Sequence, residues 1–510
     1  MKRFAISSVL FKANKFQLGQ NRSNLSTIAR PLIQQTDKVS NHERQPIRFP
    51  VPTENVPIEH DCFRKIDMSF ENVKEAYKSK SNWELARAAV VYQLCSIDMF
   101  VDNQHKMMSV AEKVFGKTIL EKLLRMTFYS HFVAGANVQE IKPVVQRYGK
   151  HGVQLILGYS VEDDLSHSHT SEMISDQKPE ELSETNQNRA KTVYKIKSQE
   201  FGGDDKRNKN VGNFIRCIDS VNELTEGTGF AAVKITALGR PSLLMKISEV
   251  LVNDEDSYHF IQDHDQEFRN VVNRLNFIVD HAEKKNVRLI IDAEQTYFQP
   301  VINRLALEMM RKFNKGQPLI FNTYQAYLKG TLKRAQHDMA MAAREDFHFG
   351  CKLVRGAYIE QERVRAIEMN YDDPTCESTE KTSENYARVF EAVLNEAKSR
   401  PKGKVSSMLA THNEDSIRMA ILKMKENGIG PDERIVCFGQ LMGMCDHVSF
   451  SLGQAGFNVY KYVPYGPTFE VLPYLIRRAQ ENRSIFNKAI KERQLLSREL
   501  RRRILTGNLF

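Results

Sequence analysis

No stretch of the 510-residue chain reaches the roughly 18 consecutive apolar residues that a spanning helix needs, so the sequence predicts a soluble or membrane-peripheral protein. Its seven cysteines, Cys62, Cys95, Cys217, Cys351, Cys376, Cys437 and Cys445, contain no CxxC pair. Their odd number excludes complete internal pairing and suits a reducing compartment. There is no GxxxxGK[ST] phosphate loop and no calcium loop with its required Gly and terminal Glu. The formal net charge is +10, but the basic residues are dispersed and no nucleic-acid-binding signature accompanies them, so no nucleic-acid partner is expected. Acidic residues are absent before Asp37, whereas Lys2, Arg3, Lys12, Lys15, Arg22 and Arg30 precede it among serines and isolated apolar residues. That is the composition of a cleavable mitochondrial presequence over residues 1–36; a disordered basic tail is the alternative.

A composition of 41% hydrophobic and 27% charged residues is that of a globular protein, and a single barrel with added helices can fill this length. Residues 37–125 read as a linker and a helical arm, with helical spacing in Trp83, Arg87, Val90, Val91 and Leu94. From His131 onward, short β-rich runs alternate with longer amphipathic stretches. Eight such runs are counted: HFVAGA at 131, VQLILGYS at 153, FAAVKITAL at 230, VRLIIDAEQ at 287, LIFNTYQAYL at 319, GCKLVRGAY at 350, VSSMLATHN at 405 and RIVCFGQLMG at 434. Eight strand and helix alternations predict an α/β fold, a (βα)8 TIM-type barrel over residues 126–487, with a C-terminal helix capping the active site. Within it, residues 161–210 form a polar insertion without periodicity. Its His167 and His169 lack a ligand framework, so no metal site is expected.

Polar residues gather at the C-terminal ends of the runs: Asp292 and Glu294, Gln325, Arg355, Thr411 with His412, and Gln440. Barrel active sites are assembled from those ends. The string Gly227-Thr-Gly229-Phe-Ala-Ala232 matches a loose GxGxxA dinucleotide fingerprint. A strand rather than a helix follows it, however, so the helix N-terminus that would meet a pyrophosphate is missing. Any nucleotide cofactor must be held by the barrel ends instead.

The strings from Val233 to Leu238 (VKITAL), Ile291 to Glu294 (IDAE), Tyr324 to Tyr327 (YQAY), Leu353 to Tyr358 (LVRGAY), Ala410 to Asn413 (ATHN) and Tyr474 to Asn482 (YLIRRAQEN) resemble, in order, the motifs of the proline dehydrogenases. The resemblance runs over about residues 128 to 485, and Met126 to Gly135 is similar to the eukaryotic mitochondrial branch. It implies an FAD-dependent enzyme of the mitochondrial matrix, peripheral to the inner membrane. Such an enzyme oxidises L-proline to Δ1-pyrroline-5-carboxylate, the first step of proline catabolism to glutamate, and passes electrons to ubiquinone.

Removing hydride from the ring carbon beside proline's nitrogen requires a neutral amine, a carboxylate clamp and a closely held flavin face. Arg477 and Arg478 are adjacent on the final helix, and guanidinium groups match a carboxylate bidentately. Tyr474, Arg477 and Glu481 are spaced to share a helical face. The resemblance implies that Tyr474 and Arg477 contact substrate and that Glu481 orients the arginines. Lys234 and Asp292 end the third and fourth expected strands, close enough to pair, and by resemblance lie beneath the substrate. A lysine on a barrel strand is also compatible with Schiff-base chemistry, which leaves the tyrosine and double arginine unexplained. The resemblance further implies that Tyr358, Tyr462 and Leu353 line the proline site. Gln325, Lys352 and His412 then meet the isoalloxazine or ribityl portion of FAD, with Val354, Arg355, Gly356 and Thr411 as further cofactor contacts. Bacterial relatives carry Arg at the position of Lys352. A bulky Tyr462 favours proline over 4-hydroxyproline, the substrate of the runner-up within the family. Finally, the stretch 488–510 is basic and amphipathic up to Leu505, as in a helix lying on anionic lipid or one closing the barrel.

Overall fold

The computed structural model describes residues 60–96, 104–159, 204–484 and 486–507. Residues 1–36 and the histidines His167 and His169 lie outside these. Eight parallel strands close into a barrel in sequence order. They are β1 (Val153–Tyr159), β2 (Phe230–Val233), β3 (Arg288–Ile291), β4 (Ile320–Gln325), β5 (Phe349–Val354), β6 (Val405–Ala410), β7 (Val436–Leu441) and β8 (Val459–Tyr465). Two helices precede the barrel, α1 (Asn82–Cys95) and α2 (Gln104–Leu124), and α3 (Val138–Gly149) leads into β1. Between strands run α4 (Asp204–Thr225), α5 (Pro241–Asn253), α6 (Gln266–Lys284), α7 (Gln299–Phe313), α8 (Thr331–Arg344), α9 (Ile359–Met369) and α10 (Thr379–Ser399). The remaining long helices are α11 (Glu414–Glu426), α12 (Asp446–Ala455), α13 (Leu472–Ser484) and α14 (Phe486–Leu505).

The period of two in each strand separates two cores. Leu155, Leu157, Val233, Leu289, Ile291, Leu353, Leu409, Phe438 and Val463 face outward into the main cluster shared with the helices. Ile156, Phe230, Ile290, Phe321, Met408, Cys437 and Tyr460 point into the barrel and fill it, as packed barrels require. At the N-terminal end of the strands, the Arg288 guanidinium lies 4.0 Å from the Phe230 ring centre and donates to Tyr460 Oη at 2.9 Å. That end is closed by a satisfied cation among aromatic rings.

Two of the expected strands need correction. The run HFVAGA is no strand: Ser130–Phe132 ends a helical segment and extended chain follows. The eighth strand is Val459–Tyr465, whose Lys461 and Pro464 obscure a strand pattern. Lys461 faces out of the barrel, fully buried and paired at 2.7 Å with Asp446 on α12. The count of eight survives because one false strand replaced one missed strand, and every intervening strand moves down by one. Short apolar runs do not by themselves distinguish strands from other buried segments.

The polar insertion is shorter than expected, since residues 204–210 are the first turns of α4, where Asp204 accepts from Arg274 at 2.6 Å and Asn210 donates to Ala237 O at 3.0 Å. On α1 the buried face is Leu85, Ala88, Val91, Tyr92 and Cys95, while Trp83 and Val90 are exposed. The true face is therefore rotated from the one that Trp83, Val90 and Val91 suggested. A capping box from Ser81 and Glu84 starts this helix. On α14, Leu495 and Leu496 are buried and pack with Tyr77, Leu85, Ala88 and Tyr92 of the arm, whereas Ile504 and Leu505 at its last turn are exposed. Arg503 fastens that contact by donating to Tyr77 O at 2.9 Å, Lys80 O at 2.8 Å and Glu499 at 2.7 Å. No helix among the described residues is long and apolar enough to cross a membrane, and none of the seven cysteines forms a disulfide.

Candidate active site at the barrel mouth

The C-terminal strand ends bring together residues that lie far apart in sequence. Asp292 follows β3, held by its N–H donating to Val233 O at 3.0 Å. Its carboxylate accepts from Lys352 Nζ of β5 at 2.7 Å, with both side chains largely shielded from solvent. Lys352, expected from the sequence as a cofactor contact, is thus an ion-pair partner of Asp292. Lys234, at the end of β2 and not of a third strand, acts on Glu294. Glu294 is buried; that burial raises its carboxyl pKa against the attraction of Lys234 and the hydrogen bonds of Thr236, whose hydroxyl donates at 2.6 Å. Two lysines and two carboxylates therefore sit across adjacent strand ends.

Gln325 is buried at the end of β4, and its amide donates to Glu294 O at 2.9 Å. His412 follows β6, where Nε2 accepts from the Leu441 N–H at 3.0 Å. An acceptor Nε2 means that the neutral ring carries its proton on Nδ1. Thr411 donates its N–H to Gly439 O at 3.1 Å and is itself fixed by Gln440, which donates to Thr411 O at 3.3 Å. Arg355 bonds Ser383 at 2.9 Å and Thr379 O at 3.1 Å on α10, while burial lowers its pKa. Val354 O accepts from Ala326 N at 2.8 Å, which joins the ends of β4 and β5. Gly356 has φ 133°, and a Cβ there would overlap the Tyr327 ring at 1.4 Å, so only glycine lets the chain cross that ring.

Tyr462 points inward from β8, with Lys352 Nζ 6.0 Å from its ring centre. Its hydroxyl approaches Gly158 so closely that a Cβ at that glycine would lie 2.2 Å away. Tyr358 is half-buried and starts α9, and its carbonyl accepts from Glu362 N at 2.9 Å. Glu362 itself is buried and accepts from Thr296 N at 2.7 Å, which ties α9 to the segment after β3. Leu353 is not at the mouth. Alternation with Lys352 turns it outward into the helix-facing core. The apolar residue that sequence reading missed is Leu441, opposite Tyr462 in the β7–β8 register and packed against the cluster that carries α13. Its signal was available in the period of two along VCFGQL, where Cys437, Gly439 and Leu441 share a phase.

Helix α13 carries Tyr474, Arg477 and Arg478. The Arg478 guanidinium lies 4.8 Å from the Tyr474 ring centre, the i,i+4 neighbour, so the stacked pair is Tyr474 with Arg478. Arg478 is buried and Arg477 half-buried. Glu481 belongs to the same helix, but its side chain lies outside the described residues. A cluster of Val91, Cys95, Phe128, Tyr129, Phe132, Val133 and Met444 supports Tyr474 and Leu475. The segment misread as a strand is therefore the seat of the capping helix.

A parallel (βα)8 barrel with a charged, partly shielded mouth has the form of a barrel enzyme whose site is built from strand ends. Residues 139–490 match the family model described as proline dehydrogenase, and the chain belongs to that family. It is 40% identical to "Proline dehydrogenase 1, mitochondrial" of Caenorhabditis elegans, with 88% of this chain and 90% of the relative covered. The human protein of the same name is 37% identical, with 87% and 91% covered. "Hydroxyproline dehydrogenase" of Xenopus laevis is 34% identical, with 84% and 89% covered. Among solved structures, proline utilization A from Bdellovibrio bacteriovorus is similar in fold, with a TM-score of 0.55 and 16% identity. That alignment covers 82% of this chain and 38% of the longer protein.

Proposed function

We propose that the protein oxidises L-proline to Δ1-pyrroline-5-carboxylate with FAD held at the barrel mouth and ubiquinone as final acceptor, in the mitochondrial matrix against the inner membrane. The observation that carries this reading is the gathering of the Lys352–Asp292 pair, Gln325, His412 and Tyr462 at the strand ends, with α13, which bears Arg477 and Arg478, packed through Tyr474 and Leu475 into the cluster that Leu441 of β7 joins.

The donor set suits an isoalloxazine. Gln325 supplies an amide and His412 an Nδ1–H, and Lys352 has three ammonium donors, of which Asp292 engages one. Val354, Arg355, Gly356 and Thr411 complete the cofactor contacts along the ends of β5 and β6. When bound, FAD supplies the hydride acceptor that no amino-acid side chain provides.

The chain's own residues bind and orient the substrate. Arg477 and Arg478 clamp the carboxylate, and Lys234 adds a third cation toward it. Three cations around one carboxylate hold the ring in a single orientation, which is where most of the rate advantage of such a site lies. Asp292 fixes the Lys352 ammonium, and Glu481 orients the arginines from its place on α13. Tyr358, Tyr462 and Tyr474 wall the ring and exclude water from it. The amine reaches the mouth neutral, having left its proton to solvent. The relatives named hydroxyproline dehydrogenase define the second reading, and the bulk of Tyr462, which leaves less room for a ring hydroxyl than a smaller side chain, supports proline over it.

Purification followed by anaerobic titration tests the proposal. The protein is expected to carry FAD and to bleach with proline at lower concentrations than with 4-hydroxyproline. A folded protein that neither retains nor rebinds FAD contradicts the proposal, and preferential bleaching by 4-hydroxyproline establishes the second reading.

A further inference from the structure

Helix α2 exposes six large apolar side chains, Val110, Val114, Phe115, Ile119, Leu123 and Met126 at the turn that follows it, each between 46% and 66% accessible. Apart from the adjacent Val114 and Phe115 they recur at spacings of three or four residues, three on each side of a break at Gly116, where φ is 75°. Isolated exposed apolar residues need no explanation, but a run of six along one helix does. Lys113, Lys117 and Lys122 are exposed among them. The stretch carries two acidic residues against these three lysines: Glu112 is exposed, and Glu121 is half-exposed and accepts from Thr468 Oγ1 at 3.1 Å. Apolar side chains bordered by cations whose stems can lie along them form the pattern of a helix at a bilayer surface rich in anionic headgroups.

The same stretch is attached to the rim of the active site. Arg125 Nε donates to Thr468 Oγ1 at 3.2 Å, and Lys117 Nζ lies 4.8 Å from the Phe469 ring centre. Tyr129 Oη donates to Gly466 O at 2.7 Å, and Gly466 N donates to Gly135 O at 3.1 Å. Residues 466–471 join β8, which carries Tyr462, to α13, which carries Tyr474 and Arg477. The basic helix α14 offers a smaller apolar surface, because Leu495 and Leu496 are buried against the arm and, among its described residues, Ile504 and Leu505 at the last turn are the large apolar side chains left exposed.

From the exposed apolar run, its lysine border and its attachment beside the mouth, we propose that α2 is the membrane-docking surface of this protein, seating the barrel mouth against an anionic bilayer. Its use in delivering electrons to a lipid-soluble acceptor rests on the function proposed above; the docking itself does not.

Co-sedimentation of the purified protein with phosphatidylcholine vesicles, with and without cardiolipin, separates the two. The wild-type protein is expected to bind the cardiolipin vesicles more tightly than the neutral ones. Phe115→Ser/Ile119→Ser/Leu123→Ser should weaken that binding by roughly tenfold or more. Lys113→Glu/Lys122→Glu should remove the preference for cardiolipin. Activity with a water-soluble dye acceptor should stay at the wild-type level in both variants, which also reports that they fold; loss of dye activity in the wild-type protein itself would count against the proposed function and leave the vesicle result standing. Undiminished vesicle binding by the triple serine variant overturns the docking surface. So does a wild-type protein that binds neither vesicle, or a wild-type dimer that the triple variant converts to monomer, which would make the surface a contact between two copies of this chain.

Discussion

The two ends of the barrel interior each hold a cation among aromatic rings, yet they are built for different tasks. At the N-terminal end Arg288 is enclosed by Phe230 and Tyr460 and donates to the Tyr460 hydroxyl and to Thr228 O. At the C-terminal end Lys352 shares Asp292 beside Tyr462, and α13 carries two more guanidinium groups. On the function proposed above, the cation at the closed end contributes to stability and those at the open end serve the substrate and cofactor. Substitutions at the two ends should therefore separate stability from activity.

The largest separation is expected from Arg477→Met. Removing one guanidinium from a carboxylate clamp should lower kcat/KM for proline by about 100-fold or more in steady-state assays, with little change in melting temperature. Asp292→Asn comes next, since it leaves the Lys352 ammonium without its carboxylate. A loss of roughly 10- to 100-fold in kcat/KM is expected, with an altered flavin spectrum. At the other end, Arg288→Met should cost about 1–3 kcal/mol in urea unfolding while activity per folded molecule stays unchanged. Equal activity losses at both ends would erase the distinction.

The smallest effect concerns Glu414, the first residue of α11, immediately after the Thr411–His412 strand end. Burial works to raise its pKa, but hydrogen bonds from His447 and Lys491 prevail and hold it at about 2, against 4.5 for an ordinary glutamate. Lys491 belongs to α14 and donates at 2.6 Å, so this carboxylate ties the C-terminal helix to the barrel. Because the folded pKa is depressed, the stability it contributes is fully present above about pH 4.5 and is lost as pH falls toward 2. Melting temperatures between pH 5 and pH 3 should fall less steeply in Glu414→Gln than in the wild-type protein, and parallel slopes would exclude this role.

Sequence and structure agree most where period and chemistry point the same way. The run VRLIIDAEQ shows an apolar strand ending in carboxylates, and it is β3 followed by Asp292 and Glu294. Agreement fails where pairing between distant elements decides. That Lys352 meets Asp292 depends on the separation of strands in a closed barrel, and no local signal in the sequence announces it. Leu353 was assigned to the mouth by its neighbours in a motif, although alternation with Lys352 sends it to the opposite face. The segment HFVAGA is apolar because it supports α13, a tertiary demand that resembles a strand when read along the chain. The rotated face of α1 has the same origin, since the partner that buries Leu85 and Tyr92 is α14, some four hundred residues later.

We place proline binding and hydride removal at the C-terminal mouth. The most direct measurement is the rate at which bound flavin bleaches when proline is mixed anaerobically with Arg477→Met and Arg288→Met proteins loaded to equal FAD content. At one subsaturating proline concentration, Arg288→Met should bleach at the wild-type rate and Arg477→Met roughly 100-fold more slowly. Wild-type bleaching by Arg477→Met, or slow bleaching by Arg288→Met, would contradict that placement.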